Sequence, residues 1–192
     1  MDIRKLITGS KIVLLLIISL LLTQASFAYE TVLVDFPPYQ GWHVVHYEKQ
    51  NGESILQYVP ANQTEVNWSR TLIFHSYKNS RLNTNAIGFL NRITAQLEAQ
   101  NSSQLYKYTK YSAMDSIAVR CVAKNSLIPT QCEIYRASKS FEGILSMHYI
   151  NKNVEDYVKT YKSWYHIIKT IRIYRSYYRT ERIMDKADTF EL

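Results

Sequence analysis

The chain has 192 residues, 23 Lys and Arg against 16 Asp and Glu, and a formal charge of +7. Sixteen tyrosines beside five glycines and four prolines make an ordered composition, which excludes a disordered or collagen-like chain. The length suits one domain with its own core, not a small scaffold that leans on metal or many disulfides.

Arg4, Lys5 and Lys11 precede an apolar run over residues 12–22, which polar Thr23 and Gln24 end. Ser26-Phe27-Ala28 then puts small residues at the two positions a signal peptidase reads. This order predicts a secretory signal peptide over residues 1–28, with Tyr29 as the first mature residue. A spanning helix needs about 20 apolar residues, so the shorter run predicts cleavage rather than anchoring. Asp2, Arg4, Lys5 and Lys11 together carry a net +2, so the mature chain keeps +5. No later stretch is apolar enough to cross a bilayer. The expected compartment is the periplasm or the exterior.

Val32-Leu33-Val34 predicts a short edge strand, stopped by Pro37-Pro38. Residues 42–49 read as a strand, Asn51-Gly52 as a hairpin turn that accepts positive φ, and residues 55–59 as the return strand. Pro60 ends that strand, residues 61–66 make a polar loop, and a third strand starts at Trp68 or Arg70 and runs to Tyr77. Asn83 or Thr84 is the expected cap of a helix that carries Ala86, Leu90, Ile93 and Leu97 in one stripe. Asn101-Ser102-Ser103 breaks it. Four more strands are expected over residues 104–111, 116–123, 132–139 and 143–150.

Cys121 and Cys132 are the only cysteines, and an even pair in an oxidising compartment predicts a disulfide. Both lie on predicted strands with turn residues between them, so they should face each other near the open end of a hairpin loop. Ten residues separate them, which does not suit a CxxC redox motif.

Asn153 is a good N-cap, and Glu155 and Asp156 place negative charge where the helix dipole favours it. Val154, Tyr157, Tyr161, Trp164, Ile168 and Ile171 keep helical spacing. No Gly or Pro follows Gly143, so this long C-terminal helix is expected to run to about residue 184. Lys169, Arg172, Arg175, Arg179 and Arg182 recur along it, with Ile167, Ile171, Tyr174 and Tyr178 beside them. That pattern reads as a basic amphipathic helix. It is either a packed helix with a solvated back or a dock for anionic head groups, an acidic protein or a polyanion. Residues 29–171 thus form one α+β domain, and residues 172–192 a basic helical extension and tail.

This order of elements buries well as an antiparallel sheet flanked by helices. Two segments carry a resemblance. One runs from Tyr58-Val59-Pro60 through Gln63-Thr64 to Asn67-Trp68-Ser69, and the other is Glu142-Gly143-Ile144-Leu145-Ser146. They resemble motifs of small secreted bacterial proteins of unassigned function, and the whole order resembles the α/β/α sandwich of the PsbP-like proteins. The resemblance covers most of the mature chain. It implies a domain that acts by binding, and its motifs carry no chemistry of their own.

No G-x-S-x-G elbow, P-loop, Rossmann glycine pattern or HExxH is present. His43 and His46 lie three apart on a strand, so they should point to opposite faces. His46, His75 and His148 could meet across neighbouring strands, but nothing in the sequence requires it. Asp115, Glu133 and Glu142 read as solvated groups or sheet ion pairs. No catalytic residue, metal site or cofactor is expected. Trp68 reads as a core aromatic that fastens the loop over residues 61–67, or as an aromatic in a binding cleft. The candidate binding face is Trp68 with Arg172, Arg175, Arg179 and Arg182. The expected function is an exported, non-catalytic binding or accessory protein of the bacterial envelope, or a secreted host-facing factor. Its partner would be a protein or an acidic envelope surface, not nucleic acid. The alternatives are a secreted enzyme with a site assembled from sheet residues, and a membrane-peripheral protein docking through its basic C-terminal helix.

Overall fold

The computed structural model describes residues 29–36, 41–78, 84–100, 104–110, 112–122, 130–176 and 188–191. The signal segment, Pro37-Pro38, Tyr178, Arg179 and Arg182 lie outside these residues.

Period-2 burial organises most of the chain. Strands β2 (His43–Gln50) and β3 (Glu53–Val59) join through Asn51 at φ 54° and Gly52 at φ 81°. Two successive positive φ angles match the twist of a tight hairpin, and Asn-Gly adopts them cheaply. A Cβ on Gly52 would also meet the Lys78 side chain at 2.4 Å. With β4 (Arg70–Lys78), β5 (Gln104–Lys110), β6 (Asp115–Val122), β7 (Gln131–Lys139) and β8 (Gly143–Asn151) they form one sheet. Its order is β2-β3-β4-β8-β7-β6-β5, with every neighbour antiparallel.

The two helices among the described residues pack on opposite faces of that sheet. Helix α1 (Ala86–Gln100) buries Ala86, Phe89 and Leu90 against Ala118, Ala137 and Ile144. Ile93 is partly buried beside them, and the Leu97 side chain lies outside the described residues. The cap differs from expectation by a residue or two: the Asn85 carboxamide accepts the Gly88 N–H at 2.9 Å, so Asn85 takes the role expected of Asn83 or Thr84.

Helix α2 (Val154–Thr170) begins as expected, with Asn153 Oδ1 accepting the Asp156 N–H at 3.0 Å. It buries Tyr157, Trp164 and Ile168 on the other sheet face. Trp164 is the hub of that core. Its ring stacks on Tyr149 at 4.2 Å and meets Trp42 edge-on at 5.0 Å, and Trp42 stacks on Phe36 at 5.5 Å. Arg136 on β7 crosses this layer to donate to the carbonyls of Ile168 and Ile171 at 2.8 and 2.9 Å. A cation on the last carbonyls is the favourable end of the helix dipole.

Helix α2 therefore stops at Thr170, well short of residue 184. Ile171 turns extended at ψ 129°, and the chain enters strand β9 (Arg172–Ser176). That strand pairs antiparallel with β1 (Tyr29–Val34), from Tyr29 opposite Ser176 to Leu33 opposite Arg172. The other side of β1 pairs with β10 (Asp188–Glu191). Strand β1 is thus the centre of a three-stranded sheet, not an edge. Val32 and Val34 join the Trp164 core. The expected helical extension from residue 172 is corrected at its start: the ladder with β1 satisfies the backbone there, which a projecting helix would leave to itself.

Candidate functional site

Cys121 and Cys132 sit directly opposite each other on β6 and β7, and their Sγ atoms are bonded at 1.96 Å. The bridge crosses two neighbouring strands at the base of their loop, so its role is to hold that hairpin.

Trp68 is half-buried, with Lys152 Nζ 3.4 Å from its ring centre. The motif around it is a self-closing loop. Gln63 accepts the Ser69 N–H at 2.8 Å and donates to Ser69 Oγ at 3.0 Å. Thr64 Oγ1 accepts the Asn67 N–H at 3.1 Å, and Asn62 takes a positive φ of 66°. Gln63 and Thr64, not Trp68, make these loop-closing bonds, and Trp68 lies outside the buried core.

Trp68 and Arg172 do not share one surface. Trp68 lies beside Lys152, just before α2, and Arg172 lies just after it. A helix of 17 residues separates the two by about 25 Å. Arg172 is exposed, Arg175 pairs through its backbone with Glu30, and Arg179 and Arg182 lie outside the described residues.

The richest polar constellation is on the α1 face of the large sheet, where strand alternation assembles it. One row runs His46–Gln57–Ile73–His148–Tyr135–Ala118 across six strands. The next runs Glu48–Ile55–His75–Ser146–Ala137–Ser116. Helix α1 packs over β6 and β7, at the Ala118 and Ala137 end of these rows. The β2–β3–β4 end carries partly exposed His46, Glu48, Ile55, Gln57, Ile73 and His75.

Each histidine on this face has its own carboxylate. His148 Nε2 lies 3.1 Å from Glu133 Oε2, His46 Nδ1 3.1 Å from Glu65 Oε1, and His75 Nε2 3.5 Å from Glu53 Oε2. Two also lie on an aromatic ring: His75 on Tyr77 at 3.7 Å and His148 on Tyr135 at 3.8 Å. Among the described residues no three His, Cys, Asp or Glu side chains are placed to hold a metal ion.

Glu133 is 1 % exposed, and Arg120 Nε donates to it at 2.6 Å. Gln131 Nε2 donates to its other oxygen. Burial pushes the Glu133 carboxyl up, but His148 and Arg120 outweigh burial and hold it at about 2. Burial also pushes the Tyr135 hydroxyl up to about 12. His75 is held below its ordinary value, because burial outweighs the nearby Glu53. Its Nε2 is buried without a well-formed hydrogen bond. Glu48, Gln50, Asn51, Glu53, Ile55 and His75 line an open hollow of about 110 Å³.

Chemically, this face can offer paired charges, amides and aromatic edges to a partner, or a histidine poised beside a carboxylate to a small group in the hollow. Sequence reasoning reached Glu133 as a solvated group or sheet ion pair and His148 as a possible neighbour of His46 and His75, but missed Arg120 and Gln131 and the pairing of His148 with Glu133. The usable signal was a strand, β7, that alternates polar and apolar residues while both of its faces are buried. No protein-family model, curated protein or solved structure matches the chain.

Proposed function

We propose that this chain is an exported, non-catalytic binding protein of the bacterial envelope or a secreted host-facing factor. It takes a protein partner on the β2–β3–β4 end of the α1 face. The observation that carries this reading is the split of that face. Its β6–β7 end lies under α1, while its β2–β3–β4 end leaves Ile55, Ile73, Gln57 and His75 partly exposed in one continuous register. Mixed apolar, amide and charged groups in a shallow face suit a protein surface. The hollow of about 110 Å³ is smaller than the roughly 300–1,000 Å³ of drug-sized ligand sites. Export is supported by the N-terminal order of charges, apolar run and small residues, and by the Cys121–Cys132 bridge. A helix on each sheet face supports the PsbP-like reading of the fold.

The test is capture from envelope extract and culture medium by the chain beginning at Tyr29, compared with Gln57→Arg. A partner held by the wild type and lost by Gln57→Arg supports the reading. Equal capture by both places the contact elsewhere.

The enzyme reading keeps one observation in its favour: the hollow joins His75 to Glu53 with the histidine held below its ordinary value. A hydrolytic activity lost in His75→Asn, with folding intact, would move the assignment there.

A further inference from the structure

The basic surface expected at the end of the chain has a counterpart on α2 itself. Lys159, Lys162, His166 and Lys169 recur at spacings of three, four and three, and all are exposed. At 3.6 residues per turn they fall within about 80° of arc and span about 15 Å. They lie opposite the buried stripe of Tyr157, Trp164 and Ile168. Arg172 follows, also exposed, and Val158 on the flank is 71 % exposed.

Among the described residues, no carboxylate pairs with any of these side chains. The acidic side chains of α2, Glu155 and Asp156, stand in its first turn, and Asp156 faces Arg70 and Asn151. A helix face kept only for solubility usually mixes both signs, often as Glu–Lys pairs four apart. Glu155, exposed and four residues before Lys159, opens this arc at the helix N-terminus, and from Lys159 onward the face carries a single sign.

We propose that the outer ridge of α2 rests on a bilayer surface rich in anionic phospholipid head groups. The ridge is the outward, convex face of a helix, so it meets a plane better than a shaped partner. Lysines on long flexible stems suit head groups whose positions are not fixed. The contact is electrostatic, with Val158 as the one exposed apolar side chain of α2 beside it. Because α1 lies on the opposite sheet face, this orientation turns the His46–His148 row away from the bilayer. The inference stands apart from the partner-binding reading, since it uses the other side of the molecule.

The test is sedimentation with vesicles, using the chain beginning at Tyr29, which contains every described element. Vesicles of phosphatidylcholine with about one-third phosphatidylglycerol are compared with pure phosphatidylcholine. The expected result is binding to the anionic vesicles alone, weakened as salt rises to about 0.15 M. Each ridge lysine should contribute about fivefold, so K159Q/K169Q should lower the partition coefficient about 25-fold. A charge-matched control, K78Q/R92Q, changes exposed cations away from the ridge and should move it by about twofold or less. Circular dichroism and urea unfolding confirm that both variants fold. Equal losses in ridge and control variants would show that binding follows net charge, and the proposal fails. It also fails if the folded wild type ignores anionic vesicles at low salt, including the case where it binds an acidic protein or heparin instead.

Discussion

Replacing Glu133 by Gln tests whether the buried cluster on β6–β7–β8 is an ion-pair network that holds the sheet. The substitution keeps the shape of the side chain and removes its charge. Arg120, 6 % exposed, and His148 then face a neutral amide. Breaking a buried pair in this way costs about 3–5 kcal/mol near neutral pH. The pH dependence sharpens the test. An unfolded glutamate titrates near 4.5, and the folded Glu133 is held at about 2. At about 1.4 kcal/mol per pH unit, that gap is worth about 3 kcal/mol. The folded value is the lower one, so this stability is complete above pH 4.5 and is lost as the pH falls from there to about 2. Urea unfolding followed by tryptophan fluorescence, between about pH 7 and pH 2.5, gives the two stability curves. The gap between wild type and Glu133→Gln should narrow by about 3 kcal/mol as the pH falls through that window. Parallel curves would refute the argument and show that Glu133 does not depend on its charge.

The recovered envelope or secreted protein should have the intact mass of a chain beginning at Tyr29; a species still beginning at Met1 would overturn export with cleavage. Cys121→Ser should lower stability by about 2–4 kcal/mol in denaturant melts, and thiol titration of the unfolded, unreduced wild type should find no free cysteine. Leu90→Ala should cost about 2–5 kcal/mol, because Leu90 is fully buried between α1 and the sheet; a loss under about 0.5 kcal/mol would deny it that place. Arg136→Ala removes a bidentate partner of Asp115 and the donor to the last carbonyls of α2. Asp115 is half-exposed, so the main loss is the charged hydrogen bonds to those carbonyls, about 2–3 kcal/mol, with faster amide exchange in the last turn of α2.

Much of the architecture was readable locally. The Asn51-Gly52 turn, the strands around it, the Asn153 cap and the buried spacing of Tyr157, Trp164 and Ile168 each follow from residues within one element. So does the pairing of Cys121 with Cys132, since only two cysteines exist and each lies on a strand beside one short loop. Such signals survive into the structure because turn chemistry, capping and face alternation depend on near neighbours.

What local pattern could not decide was which distant segment each strand would meet. Residues 172–176 keep basic residues three apart, as a helix would, yet they also alternate Ile173 with Arg172 and Tyr174 as a strand can. The tie was broken by β1, which lies more than a hundred residues earlier and supplies a ladder, and by Arg136, which closes α2 from another strand. The candidate site was hidden for the same reason. His46, His75, His148, Glu133 and Arg120 come from five strands, and only the sheet register sets them on one face. Sequence by itself determined most of the elements up to Thr170, the disulfide and the expectation of export. Tertiary pairing decided where the last helix ends and which polar side chains meet, because hydrogen-bonded register and buried charge are properties of segments brought together from far apart in the chain.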